Sequence, residues 1–243
     1  MEAARLVCAV KMCDEARKYG YPLYIVEDSP DPEIGKNFEA HGAIVIRQKG
    51  KGFGNSVREC LQAGLDGGHE IILRTEIEKY GLAGSVGACV ERFRKENLDV
   101  LIPRRRNLDG YPNYQRLSEF MAMWEISVLT GRSDIDWFFG PKFLSPKAAE
   151  RFIAYDGSQG DTWHILILPI LQILAYGQEV LNPQRLAGSL SLGTTLLDYL
   201  YSPEQAAVEA GNPEMDKKRD VQRVQLVSAV KAECERLGII GLR

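Results

Sequence analysis

The sequence predicts an α/β protein in which a mostly parallel, twisted sheet carries helices on both faces, followed by a C-terminal helical extension. Short apolar strands alternate with helical segments through the first hundred residues, which is typical of parallel strands joined by crossover helices. Glycine or proline stands at the boundaries of many of these segments. The 243-residue chain is 45% hydrophobic and 26% charged, as in ordinary globular proteins.

The first half of the chain alternates helix and strand. Residues 2–19 have apolar side chains on one helical face and stop at Gly20, and residues 21–27 form a predicted buried strand. Pro32 stands in the first turn of the next helix, and Gly42 follows its end. The elements predicted in this half are helix 2–19, strand 21–27, helix 32–41, strand 43–46, helix 53–66, strand 70–74, helix 83–96 and strand 98–102.

The alternation weakens after Pro103, which closes the last of these strands. Residues 161–176 are strongly apolar and predict a long buried helix that ends at Gly177. The sequence contains no clear internal repeat and no low-complexity linker. The remaining predicted elements are helix 114–129, an aromatic loop at 134–140, helix 146–154, a short strand at 178–181, and helices 203–210 and 214–237.

Net charge, cysteine content and the longest apolar run indicate which partners and which cellular setting the chain is suited to. The formal net charge is -3, which gives no indication of nucleic-acid binding. Five cysteines without a CxxC pair favour a reduced, cytoplasmic setting. The most apolar run, 165–174, is too short to span a bilayer and contains a proline, so we predict no membrane span. A homodimer stays open on this evidence.

Acidic residues follow the first predicted strand. Glu27, Asp28 and Asp31 stand where this strand ends, and in an open α/β sheet ligands bind beyond the carboxyl ends of the strands. An ionised carboxylate only accepts hydrogen bonds, so Asp28 suits the N–H group of a nucleotide base. The alternative is a capped turn, with Asp31 as N-cap of the helix that begins at Pro32.

A basic, glycine-rich loop precedes the predicted helix 53–66. Gly52 and Gly54 let the backbone approach a ligand closely, and the N-terminus of the following helix favours negative charge. Lys51 and Arg58 add cationic side chains to the same place. The loop therefore predicts a binding site for the phosphate groups of a nucleotide.

A second acidic group follows strand 70–74. Glu76 and Glu78 offer carboxylate oxygens to a hard divalent cation. Arg74 and Lys79 flank the two glutamates. These cations provide two alternatives, a salt-bridged strand end without ligand, or a phosphate site in which they replace the metal.

Later segments carry the candidate catalytic groups. Asp161 begins the predicted apolar helix and is the first candidate for a general base, with His164 on the same helical face as support for Asp161 or as a metal ligand. The alternatives are a helix cap for Asp161 and core packing for His164. Asp136, in the aromatic loop, is the next candidate for the base.

Basic residues also follow strand 98–102. Arg104 and Arg106 are predicted to contact a phosphate or the acceptor, because a guanidinium group pairs with phosphate oxygens through two hydrogen bonds. Runs of basic residues are also typical of solvated faces, and that is the alternative here. Their position after a strand favours the anion site.

In this order the motifs resemble the front half of GT-A glycosyltransferases, the family 2-like transferases that use nucleotide-diphospho-sugar donors. Glu27-Asp28-Ser29-Pro30-Asp31 is similar to the family's DDGSPD segment, and residues 49–58 are similar to its GxGxAxNxG segment. Glu76-x-Glu78 stands where the family has a DxD that binds Mg²⁺ or Mn²⁺, so the resemblance implies one of these metals. Asp161 matches the general base of inverting members. The family's first strand has no counterpart ahead of the helix at 2–19.

The resemblance implies a nucleotide-sugar-binding catalytic domain over residues 1–182 and a helical extension over 183–243 packed on it. It implies transfer of a sugar from a nucleotide diphosphate-sugar to a hydroxyl acceptor, with Trp137 as a candidate for stacking on a sugar ring. One alternative is a sugar nucleotidyltransferase. Another is a non-catalytic or degenerate nucleotide-sugar-binding protein, which the glutamates in place of DxD and the lacking strand favour.

Overall fold

The computed structural model describes residues 3–178 and 189–239. Most of these residues lie in helices, which pack around two sheets. None of the helices in these two segments is long and apolar enough to cross a membrane. The α-helices are α1 (Ala3–Tyr19), α2 (Pro32–Ala40), α3 (Phe53–Asp66), α4 (Val86–Lys95), α5 (Asn113–Thr130), α6 (Pro146–Ile153), α7 (Leu168–Gln178), α8 (Pro203–Glu209) and α9 (Pro213–Leu237).

The strands form one small and one larger sheet. They are β1 (Tyr24–Glu27), β2 (Ile44–Arg47), β3 (Ile72–Arg74), β4 (Val100–Arg105), β5 (Lys142–Leu144) and β6 (Leu192–Leu197). The small sheet pairs β1 with β2 in parallel, and the larger sheet has the order β3-β5-β4-β6. In the larger sheet β5 runs antiparallel to both neighbours, while β4 and β6 are parallel. The α/β class is confirmed, and the strand pairing is mixed.

Helices cover both faces of the larger sheet, because neighbouring residues of one strand point to opposite sides. Val100 and Ile102 of β4 belong to a core that also contains residues of α3, α6, α7 and α9. Leu101, between them, packs with Phe143 of β5 and with residues of α4. The sheet is thereby buried on both sides, which accounts for the continuous apolar run at the start of β4.

The small sheet has its own core. Phe38 of α2 and Ile25 of β1 are buried with Ala9 and Cys13 of α1. Asp31 is the N-cap of α2, where its side chain accepts a hydrogen bond of 3.0 Å from the backbone N–H of Glu33. The capped turn that the sequence offered as the alternative is therefore present.

Two strands of the larger sheet were not predicted. β5 has only three residues and β6 contains a glycine and two threonines, so neither shows a recognisable strand pattern. Both strands form because they pair with β4. All six residues of β6, Leu192 to Leu197, pair with β4 along its whole length. The C-terminal part of the chain is thus not a purely helical extension, since β6 completes the sheet.

The helix predicted over 161–176 is wrong in its first half. A short 3-10 helix spans Trp163–Leu166, and α7 begins only at Leu168, one residue before Pro169. Proline has no backbone N–H and is accommodated at the start of a helix, so Pro169 begins a new element here. The strand predicted at 178–181 lies almost wholly outside the described residues, and its first residue, Gln178, ends α7.

The prediction for 83–96 also changes, because a 3-10 helix at Ile77–Ser85 precedes α4. Glu76 is the residue before this 3-10 helix and Glu78 lies within it. The two glutamates therefore do not lie on a strand, and their side chains are not related by the two-residue repeat of a strand. β3 has already ended at Arg74.

Candidate functional site

The glycine-rich loop before α3 is held in shape by the helix that follows it. Gly52 has a φ of +88°, which glycine adopts without strain. The Glu59 carboxylate of α3 accepts hydrogen bonds from the backbone N–H groups of Lys49 and Gly50, at 3.0 and 2.8 Å, and they lower the pKa of Glu59. These two amides are therefore already used inside the loop. Lys51 remains exposed at its tip.

Three residues predicted from two separate motifs meet at the first turns of α3. Arg58 donates to Asp161 through two hydrogen bonds of 2.6 and 3.1 Å and to the Tyr155 carbonyl at 2.8 Å. The Gly54 N–H donates to the Asp161 carbonyl at 3.2 Å. A Cβ added at Gly54 would overlap the Asp161 carboxylate, so only glycine leaves room for it. The structure thereby joins the glycine loop to a segment 103 residues further along the chain.

Asp161 lines an open cavity of about 420 Å³ together with Gly160, Thr162, His164 and Gln225 of α9. It lies two residues before the 3-10 helix and so is not in the first turn of a helix, which corrects the sequence-based position. Its side chain is 42% exposed, and that of its partner Arg58 is 19% exposed. The carboxylate is accessible to a ligand in this cavity.

His164 is buried beside Asp161. Its Nδ1 lies 3.1 Å from the Thr162 hydroxyl, and it is hydrogen-bonded to the backbone of Gln225. Burial lowers the pKa of His164 below its usual value of 6.5, so the ring is neutral at pH 7. Its hydrogen bonds match the core position that the sequence offered as the alternative to metal ligation.

The side chain of Glu76, beyond β3, is 9% exposed and is ion-paired with Arg74. Gly140 packs against this glutamate, and a Cβ added there would overlap its carboxylate. Burial by itself would raise the pKa of Glu76, but the cations of Arg74, Lys79 and Lys142 hold it below its usual value. The segment is therefore a buried ion cluster.

The predicted metal ligands Glu76 and Glu78 lie beside cationic side chains. Oε2 of Glu76 and Oε2 of Glu78 are buried without a hydrogen-bond partner among the described residues, which leaves two oxygens for a ligand. The positive charge beside Glu76 is nevertheless already supplied by Arg74 and Lys79. Within residues 3–178 and 189–239, no three His, Cys, Asp or Glu side chains are grouped as metal ligands. Binding of Mg²⁺ or Mn²⁺ stays a prediction.

Asp136 belongs to a second buried ion cluster. Arg105 of β4 donates to it through two hydrogen bonds of 2.7 Å and to Glu119 of α5 at 2.6 Å. Burial would raise the pKa of Asp136, but the adjacent Arg105 keeps it below its usual value. Asp136 is 4% exposed, so an acceptor cannot reach it without a rearrangement. Its neighbour Trp137 is also buried in the core.

The buried arginine of this segment was missed by the sequence analysis, which selected the residues on either side of it. Arg104 and Arg106 are exposed, and Arg106 pairs with Asp198 at 2.6 Å. Arg105 points to the other side of the sheet because side chains alternate along a strand. The alternation of β4 was available in the sequence as a signal, and it separates Arg105 from its two neighbours.

Lys79 was noted only as a flanking charge, and the structure places it inside an aromatic box. Its Nζ lies 4.9 to 5.8 Å from the centres of four rings, which are those of Tyr111, Phe139, Tyr199 and Tyr201. Ring faces attract a cation at this distance. No local sequence signal predicts this box, because its members come from three separate segments.

The acidic end of β1 divides into buried and exposed groups. Glu27 is buried and accepts hydrogen bonds from Arg47 of β2, at 2.7 Å, and from the backbone of Ser29. Asp31 caps α2. Asp28, just beyond β1, is exposed, and so is Asp31, whereas Glu27 is enclosed.

Phe53, at the start of α3, connects the parts of the candidate site. Its ring lies 4.6 Å from that of Trp163, and the Arg74 guanidinium lies 5.3 Å from its centre. The N-terminus of α3 thus adjoins both the Asp161 segment and the end of β3. We define the candidate site as Phe53, Gly54, Arg58, Arg74, Asp161 and Trp163.

Comparison of the chain with protein-family models finds no match, and comparison with curated proteins finds no match either. The fold and the residues of the candidate site are therefore the basis for an assignment of function.

Proposed function

We propose that this chain is a glycosyltransferase that moves a sugar from a nucleotide diphosphate-sugar to a hydroxyl acceptor. The observation that carries the proposal is the meeting of Gly54, Arg58 and Asp161 at the N-terminus of α3. These residues come from two motifs of the resemblance, the glycine-rich phosphate-binding segment and the segment that contains the general base. The parallel pairs β1–β2 and β4–β6 and the helices on both sheet faces support a GT-A-like fold.

In the proposed reaction the acceptor oxygen attacks the anomeric carbon of the sugar. The bond from that carbon to the diphosphate breaks, the nucleoside diphosphate leaves, and Asp161 takes the proton of the acceptor hydroxyl. Asp28 holds the nucleotide base, Lys51 and Arg58 offset the charge of the diphosphate, and Arg74 stays paired with Glu76. Mg²⁺ or Mn²⁺, if it binds at Glu76 and Glu78, would add to this charge compensation.

The ion pair between Arg58 and Asp161 gives the proposal a specific order of events. A diphosphate is a bidentate partner for guanidinium, as a carboxylate is, so the donor competes with Asp161 for Arg58. Once Arg58 turns to the diphosphate, the Asp161 carboxylate is released into the cavity. The base thus becomes available only when the donor is bound.

The test measures binding and turnover separately. Calorimetric titration with UDP- and GDP-sugars, with and without Mn²⁺, gives the donor affinity, and release of the nucleoside diphosphate gives turnover. Asp161→Asn should keep donor binding and lose on the order of 100-fold or more in turnover, whereas Arg58→Met should weaken donor binding. Asp156→Asn, in the same loop, is the matched control and should do neither.

Two outcomes would contradict the proposal. The first is that neither UDP- nor GDP-sugars bind the wild-type chain. The second is near-full turnover in Asp161→Asn, which would make Asp161 a structural partner of Arg58 and place the base elsewhere.

A second candidate, a non-catalytic nucleotide-sugar-binding protein, is favoured by one observation. Both carboxylates predicted as the general base are ion-paired with an arginine, Asp161 with Arg58 and Asp136 with Arg105. The predicted metal ligand Glu76 is likewise ion-paired with Arg74. A carboxylate held by an arginine is less available to take a proton or to bind a metal ion. Donor binding without release of nucleoside diphosphate, for a panel of hydroxyl acceptors, would select this candidate.

A further inference from the structure

Helix α5 presents an apolar face to solvent. All residues of α5 that are exposed between positions 117 and 128 are apolar. Leu117 is 58% exposed, Phe120 61% and Trp124 64%, and Met121 and Val128 accompany them. Scattered exposed apolar residues are ordinary, but a continuous face of large ones marks an interaction surface.

The inner face of α5 explains why its apolar side points outward. Gln115 donates to Glu119 at 2.6 Å, and Glu119 accepts from Arg105 at 2.6 Å. The buried face of this helix therefore includes polar residues, which balance the charge of Arg105 inside the protein. The apolar residues occupy the opposite side, where nothing in the described part of the chain covers them.

The size of this face approaches that of a protein interface. Given its exposed fractions and side-chain areas of roughly 150–250 Å², it presents on the order of 500 Å² of apolar surface. Each partner of a stable complex buries about 800 Å². Val221 and Val224 of α9 are also exposed and directly follow Asp220 and Arg223, which contact α5. They extend the surface toward the size required.

The pattern along α5 is self-complementary. Leu117, Phe120, Met121 and Trp124 are all exposed, and their positions are symmetric about the point between residues 120 and 121. An antiparallel pair with its two-fold axis between positions 120 and 121 places Leu117 of one copy opposite Trp124 of the other. The same register places Arg116 opposite Glu125, so opposite charges meet beside the seam.

We propose that a second copy of this chain covers the face, in an isologous dimer in which two α5 helices pack antiparallel. A two-fold interface uses the same surface on both subunits, which a self-complementary seam satisfies. A lipid surface fits less well, because helices that lie on membranes carry several Lys or Arg beside the apolar face. Arg116 is the single basic residue of α5, which also contains Glu119 and Glu125.

The experiment is sedimentation equilibrium combined with light scattering on the full chain. Wild type should have twice the chain mass of 27.2 kDa. Trp124→Glu should raise the dimer dissociation constant on the order of 100-fold, because a central aromatic residue dominates an interface. Leu200→Glu is the control, since Leu200 is a large apolar residue, 74% exposed, that belongs to neither α5 nor α9, and it should leave the dimer intact.

Leu117→Glu is a second variant in case the first does not fold, and circular dichroism checks both. The proposal is overturned if wild type is monomeric at about 100 μM, far above the dissociation constant of a specific dimer. It is also overturned if folded Trp124→Glu and Leu117→Glu remain dimers. A wild-type monomer that co-sediments with phosphatidylcholine vesicles would assign the face to lipid and would equally exclude the dimer.

Discussion

Two sets of residues in this protein have the same arrangement of glycine, carboxylate and arginine but differ in how deeply they are buried. The outer set is Gly54, Asp161 and Arg58, and the inner set is Gly140, Glu76 and Arg74. In each, a glycine leaves room for a carboxylate that an arginine holds. The Asp161 side chain is 42% exposed beside an open cavity, while the side chains of Glu76 and Arg74 are 9% and 7% exposed.

The comparison shows that the surroundings of an ion pair, and not its chemistry, decide what it can do. Water and counterions can replace Arg58 as a partner of Asp161, so the outer pair can open at low cost. A buried carboxylate that loses its cation has no such replacement, so the inner pair is fixed. The outer set is thus suited to bind a ligand and the inner set to hold the fold.

The largest expected effect is a difference in stability between variants of the two arginines. Arg74→Met leaves the buried Glu76 charge without its direct partner and should lower the free energy of unfolding by about 3 kcal/mol. Arg58→Met should lower it by about 1 kcal/mol or less, since Asp161 is accessible to water. Urea denaturation of both variants at one chain concentration measures the difference. Equal losses would show that burial does not distinguish the sets.

The second effect is a dependence of the free energy of unfolding on pH, which arises from a lysine in the buried region. Burial lowers the pKa of Lys142 to about 7, although Asp136 and Glu76 lie nearby. Between pH 7 and 9 the unfolded chain holds this proton and the folded chain does not, so the free energy of unfolding rises with pH.

This contribution should amount to about 2 kcal/mol over the two pH units. Urea denaturation of wild type and Lys142→Met at pH 7 and pH 9 isolates it, because the thiols of Cys13, Cys89 and Cys234, whose pKa burial raises to about 11, are common to both proteins. An identical pH dependence in the two proteins would show that Lys142 stays charged in the fold.

The smallest effect compares the two glycines. Gly140→Ala should cost about 1–2 kcal/mol, because the added methyl group displaces a Glu76 carboxylate that is enclosed on all sides. Gly54→Ala should change stability by less than about 1 kcal/mol, since alanine favours the helix and Asp161 can turn into solvent. Gly87→Ala in α4, where an added Cβ meets its nearest neighbour at 3.8 Å, is the control for a tolerated change. A larger loss at Gly54 than at Gly140 would reverse the comparison.

Much of the fold follows from local sequence. The helix at 53–66 was predicted with the bounds of α3, and strands β1 to β4 were predicted within a few residues. These helices and strands were predicted from apolar periodicity, from glycines that follow helix ends and from prolines at helix starts. Each of these signals depends on only a few neighbouring residues. β5 and β6 were missed because strands without a local pattern depend on pairing with β4.

The candidate site was predicted in part. Gly54, Arg58 and Asp161 were selected and do lie together, whereas Arg105 was missed in favour of its exposed neighbours. The sequence also gave no measure of burial for the carboxylates after β1 and β3. A run of acidic residues looks the same whether water or buried cations surround it.

The sequence by itself determined the α/β class, the cap at Asp31, the position of the glycine loop and the identities of the charged residues. These depend on backbone preferences and hydrogen bonds between near neighbours. Only the tertiary structure decided which carboxylate meets which arginine, since Arg58 and Asp161 are 103 residues apart. It also decided that Asp161 faces a cavity while Glu76 and Asp136 are enclosed, because burial is a property of packed segments and not of any one of them.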